Sequence, residues 1–161
     1  MEPLPEVSPA DVVALLERLA GNGGEDEIFR LADRMNLEFG RMVIVTKATE
    51  LLAFVETPGE SVALTTQGRR FVSASEAERI RLWRDQLLTL KLFQIVHESA
   101  ERRADRAVDR DFVVDTIVTR MPHENYGQVF NTLVRWARFG QLFEYDTETQ
   151  RLALMTGPRH E

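Results

Sequence analysis

The chain has 161 residues, 43% of them hydrophobic and 29% charged, and it contains no cysteine. That composition supports a folded core and argues against wholesale disorder; disulfides and thiolate metal sites are excluded, and no apolar run approaches the roughly 20 residues of a membrane span. The net charge of -6 is uneven, because residues 1–60 hold 5 Lys+Arg against 12 Asp+Glu, a balance of 5 - 12 = -7. Such a segment repels a phosphate backbone. The acidic, proline-containing start MEPLPEVSPAD lacks the basic region and apolar core of a signal peptide, so a cytoplasmic protein without membrane insertion is expected.

Pro3 and Pro5 make the first seven residues an extended lead-in. Ser8-Pro9-Ala10-Asp11 then supplies an N-cap, a proline at the first helical position and an acid three residues after the cap. Val12, Leu15, Leu16 and Leu19 follow at helical spacing, and Gly21-Asn22-Gly23-Gly24 ends that helix. The spacing predicts a second helix from about Glu25 to Asn36, burying Ile28, Leu31, Ala32 and Met35, with three acids in its first turn. A third is predicted from about Gly40 to Ala53, burying Met42, Val45, Thr49 and Leu52.

Phe54–Glu56 and Ser61–Thr65 read as hairpin strands across Pro58-Gly59-Glu60, and Thr66 opens a short helix. Three helices and a hairpin make a winged helix-turn-helix. Ser75-Glu76-Ala77-Glu78 is a capping box, and it predicts one long central helix from there to about Arg102, amphipathic early and apolar nearly all round from Leu87 to Val96. Beyond it, Asp109 or Asp111 caps a helix with Val114, Ile117, Val118 and Met121 on one face. Another helix from about Glu124 to Phe139 buries Tyr126, Val129, Phe130, Leu133 and Ala137. Leu142–Tyr145 and Arg151–Met155 form a second hairpin, and the tail after Gly157 reads as frayed.

The expected fold is therefore mainly α with small β-hairpins: tandem winged-helix-like units joined by a long central helix. An N-terminal unit would occupy 1–74, and the central helix with the C-terminal unit 75–161.

No catalytic, cofactor or metal residues emerge. The glycine turn follows a helix and lacks a Gly-Lys-Ser/Thr, so it is no phosphate loop. His97, His123 and His160 are not at metal-ligand spacing. Asp111 and Asp115 lie one turn apart at a helix start, where an acid is ordinarily a cap, and no serine sits in a Gly-x-Ser-x-Gly elbow. The expectation is that the chain is not an enzyme.

DNA binding is the competing reading. A winged helix reads the major groove with the exposed face of its third helix. The first unit offers Arg41, Lys47, Glu50 and Ile44 there; the second offers Gln128, Asn131, Arg135 and Arg138. Arg135 and Arg138 are the nucleic-acid candidates under this alternative. Arg69, Arg70, Arg79, Arg81 and Arg84 form the most basic stretch, of a kind that solvated helix faces also show.

Three segments carry a family likeness: Pro3-Leu4-Pro5 through Leu15-Leu16, Arg79 to Leu87, and most specifically Trp136-Ala137-Arg138-Phe139-Gly140-Gln141-Leu142-Phe143-Glu144-Tyr145-Asp146. With Leu51–Phe54 and Leu64–Arg69, the chain resembles the C-terminal AAA-associated domain family, found attached to ATP-binding subunits of nitrate/sulfonate/taurine-type bacterial ABC transporters. The resemblance implies a regulatory or protein-interaction module whose partner is an ABC transporter ATPase subunit or a second copy of the chain, with DNA less favoured. It does not imply ATPase activity, since no Walker A pattern is present, and the chain is expected to be a stand-alone relative or a piece of a longer protein. The signature residues Trp136, Arg138, Leu142, Phe143, Tyr145 and Asp146 are expected to be structural, with Trp136, Phe143 and Tyr145 sealing the hairpin on its helix and Arg138 reaching Asp146.

Overall fold

The computed structural model describes residues 1–155; the tail expected to fray, and with it His160, lies outside the described residues. These form eight helices and six short strands in two antiparallel sheets, and they divide into two compact units, Pro5–Leu82 and Trp83 onward with Met1–Leu4.

In the first unit, α1 (Pro9–Ala20) starts where Ser8 accepts a hydrogen bond from the Asp11 amide, and it buries Val12, Leu15, Leu16 and Leu19. Its end is closed by the Gly24 amide donating to the Leu19 carbonyl at 2.7 Å, a turn that Gly23 (φ 78) and Gly24 (φ 94) complete in the left-handed region. β1 (Glu25–Glu27), α2 (Ile28–Arg34) and α3 (Phe39–Leu51) follow, then β2 (Val55–Glu56), β3 (Ser61–Leu64) and α4 (Thr66–Ser73). The sheet order is β1-β3-β2. Leu15, Leu16, Leu31, Met42, Leu52, Phe54, Val62 and Phe71 are fully buried in this unit.

α5 (Glu76–Leu87) carries the division between the units, which falls between Leu82 and Trp83. Then come α6 (Lys91–Glu101), β4 (Ala107–Asp109), α7 (Arg110–Arg120), α8 (Tyr126–Phe139), β5 (Phe143–Asp146) and β6 (Arg151–Leu154), with sheet order β4-β6-β5. Trp83, Phe93, Val96, Ile117, Leu133 and Trp136 are fully buried.

The same backbone bonds close each sheet. Leu64 N–H donates to the Gly24 carbonyl in the first unit at 2.8 Å, and Leu154 N–H to the Arg106 carbonyl in the second at 2.9 Å. Phe54 N–H donates to Thr49 and Leu142 N–H to Ala137, turning the chain from helix to strand; Ala53 (φ 66) and Gln141 (φ 53) occupy the left-handed position at each turn.

The structure departs from the sequence expectations at several points. There is no single central helix: α5 and α6 are separate, because Leu90 is extended (ψ 133), the Thr89 hydroxyl donates to the Gln86 carbonyl, and the Gln94 amide donates to the Leu88 carbonyl. Side chains thus satisfy the groups an uninterrupted helix would have paired internally. Glu25–Glu27 is a strand and not a first helical turn, since all three residues pair with β3. Ala107–Asp109 is likewise a strand, and Asp109 takes the N-cap position of α7 without a side-chain cap bond. On α7 the buried residues are Val113 and Ile117, while Val118 is 47% exposed. Tyr126, expected inside, is 49% exposed at the first position of α8.

Candidate interaction surface

Within the first unit, α3 turns Met42, Val45, Thr46, Ala48 and Thr49 inward, which leaves Phe39, Gly40, Ile44, Lys47 and Glu50 exposed. Phe39 is 45% exposed and stacks on Phe29 of α2, itself 55% exposed, with ring centroids 4.6 Å apart and planes 11° from parallel. Ile44 adds a third exposed apolar side chain at 40%. Arg41, expected on this outward face, is drawn away: its guanidinium donates to the Asp11 carboxylate and to the Glu6 carbonyl, each at 3.1 Å. The hairpin tip beside α3's chain end, Glu56-Thr57-Pro58-Gly59-Glu60, is exposed throughout and acidic.

Phe29 and Phe39 are the residues the sequence reading missed. Each lies outside the apolar stripe of its helix, Phe29 next to Ile28 and Phe39 ahead of Met42. Consecutive large apolar residues at a helix start were the available signal, since only one of the two can face the core.

In the second unit, α8 exposes Gln128, Asn131, Arg135 and Arg138 along one face, so both nucleic-acid candidates share a surface, and the helix carries no acid. Arg138 does not reach Asp146. It lies 3.5 Å from the Glu144 carboxylate, both side chains exposed, whereas Asp146 accepts from the Glu148 and Thr149 amides in its own turn. Trp136 is fully buried, and its carbonyl accepts the indole N–H of Trp83 at 2.9 Å. Leu142 and Phe143 are buried, and Tyr145 is half-buried with its ring edge-on to Phe130 at 5.2 Å. This second tip also holds acids, Asp146 and Glu148.

The basic stretch does not present a continuous cationic surface. Arg79 donates to the Phe71 and Val72 carbonyls and to Glu17, Arg84 donates to the Gly140 carbonyl, and Arg70 and Arg81 converge on Glu78. The hydrogen bond from Arg81, with the charges of Arg81 and Arg70, holds the Glu78 carboxyl below its ordinary pKa. Asp111 and Asp115 are exposed on α7, and His97 lies 3.5 Å from Glu101. Among the described residues no group of three or more His, Asp or Glu is placed to hold a metal ion, and no helix is long and apolar enough to cross a membrane.

Comparison with known proteins gives one result. A family model described as the C-terminal AAA-associated domain matches residues 29–146, well over half of the chain. No curated protein and no solved structure gives a match.

Proposed function

The chain belongs to the C-terminal AAA-associated domain family, and from that membership we propose that it is a non-catalytic regulatory module that works by protein interaction. Its partner on this reading is the ATP-binding subunit of an ABC-type importer of the nitrate, sulfonate or taurine class, in the cytoplasm. The observation that carries the reading is the extent of the match, residues 29–146. The proposed architecture is a pair of winged helix-turn-helix-like units, supported by the recurring helix–strand–helix–helix–hairpin order and by the like-placed closing bonds of the two sheets.

Charge and exposure favour a protein partner over DNA. A wing that grips a phosphate backbone needs cations at its tip, and both hairpin tips carry acids instead: Glu56 and Glu60 in one, Asp146 and Glu148 in the other. The outward face of α3 begins with stacked aromatic rings where a groove-reading helix carries Arg, Lys, Asn or Gln. Co-purification of the folded chain with the ATP-binding subunit encoded beside it, at low salt, is the expected result. Failure to associate when both proteins are folded would overturn the assignment.

One observation keeps DNA as a second reading, namely the acid-free face of α8 with Gln128, Asn131, Arg135 and Arg138. That reading requires salt-dependent retention on duplex DNA, lost in the Arg135→Ala, Arg138→Ala double variant.

A further inference from the structure

We propose that Phe29, Phe39 and Ile44 form the docking site for a basic amphipathic helix of another protein, with the stacked rings receiving its apolar stripe. The inference rests on the reading of the chain as a protein-interaction module, but it does not depend on the partner being an importer subunit.

The three side chains are 55%, 45% and 40% exposed, and they lie on two helices of one unit, α2 and α3. Large aromatic rings left in water in a stacked pair form a preassembled apolar platform, and such rings dominate interface energetics. Gly40 is exposed between Phe39 and Ile44 in the chain, and nothing lies within 4 Å of where a β-carbon would stand. A partner's side chains can therefore reach the α3 backbone there, the geometry by which a helix lays its apolar stripe across a surface.

Charge selects the occupant. Asp33 follows Phe29 by one helical turn, and Glu38 immediately precedes Phe39; both are exposed. Of the nearby cations, Arg34 is held by Asp26 and Asn22, and Arg41 by Asp11, which leaves Arg30 and Lys47 as exposed cations on these helices. Across residues 1–60 the balance is -7. Lys and Arg flanking a partner's apolar stripe would complement that field, whereas a second copy of this chain would meet it with the same sign. Area points the same way. Two half-exposed aromatic rings and an isoleucine offer roughly 300 Å², well short of the about 800 Å² per partner of a stable dimer.

The test uses the full chain, isotope-labelled, titrated with a synthetic amphipathic helix of Leu and Lys and with its Leu and Glu counterpart while amide shifts are followed. The Lys peptide should shift the Phe29, Phe39, Gly40 and Ile44 resonances and bind about tenfold or more tightly than the Glu peptide. The Phe29→Ser, Phe39→Ser double variant should lose that binding while keeping its circular dichroism spectrum, and Tyr126→Ser should leave it unchanged. Shifts elsewhere, equal binding of the two peptides, unaltered binding by the double variant, or no binding at roughly 1 mM peptide would each overturn the proposal. So would a concentration-dependent dimer in sedimentation that Phe39→Ser abolishes, since the occupant would then be a second copy. Peptide binding at these residues without co-purification of the ATP-binding subunit would refute the importer reading alone; the reverse result would refute the docking site alone.

Discussion

At the scale of single residues, two glycines and one tryptophan show how little slack the units have. A β-carbon at Gly68 would stand 2.1 Å from the Phe54 carbonyl oxygen, and one at Gly140 would stand 2.9 Å from Cδ1 of Trp83. In the first case the obstacle is backbone, which cannot rotate aside, so Gly68→Ala is expected to cost about 3 kcal/mol by overpacking, measurable by urea unfolding. The second obstacle is the ring of a fully buried tryptophan whose indole N–H is bonded to Trp136. Replacing Trp83 with Phe would remove that donor and leave the Trp136 carbonyl buried without it, at about 1–3 kcal/mol. By contrast, Phe39→Ser at the exposed stack should cost no more than about 1.5 kcal/mol. A docking residue and a core residue of the same chemistry are thus separable by thermal melting. Glu78 gives a pH prediction. Its carboxyl is held below the ordinary value by Arg81 and then by Arg70, so its contribution is present above the unfolded-state pKa of about 4.3 and disappears as pH falls through the lower folded value. The melting difference between the wild type and Glu78→Gln should therefore shrink towards zero in acid.

At the scale of elements, capping chemistry was legible and chain reversals were only partly so. Ser8, and Ser75 with the Glu78 amide, cap as their spacing indicates. Thr65 does more: its hydroxyl accepts from the Gly68 amide at the start of α4 and donates to the Ala53 carbonyl at 2.7 Å, joining the helix start to the end of α3. Thr65→Ala should lower stability by about 1 kcal/mol or somewhat more, as for a lost N-cap, and hydrogen exchange at Gly68 should accelerate. The strands β1 and β4 were not legible. Three residues are too few to establish an alternating pattern, and Glu-Asp-Glu is an unfavourable strand composition; β1 exists because β3 offers its unpaired edge, and Asp26 is buried there beside Arg34. The break between α5 and α6 was hidden for a related reason. Leu87, Leu88 and Leu90 are good helix formers, and the interruption comes from Thr89 and Gln94 bonding to backbone carbonyls.

At the scale of the molecule, charge distribution governs the expected partners. The acids of the first sixty residues and of both hairpin tips predict weak retention on heparin or random duplex DNA even at low salt, and strong retention would restore the DNA reading. The sequence by itself determined that the chain folds, that it is mainly helical with small hairpins, and that it carries the family signature, because periodicity, caps and turn residues act over a few neighbouring positions. Only the tertiary structure decided which outward residues are available to a partner. Arg41 sits on an exposed helix but is claimed by Asp11, thirty positions away, and Arg138 by Glu144 on the next strand. Phe29 and Phe39 look like ordinary core residues, yet they stack in water, since Ile28 and Leu31, and then Met42, lie towards the interior from their helices. Long-range pairing and the filling of a finite core select among locally equivalent residues, and neither is written in a local pattern.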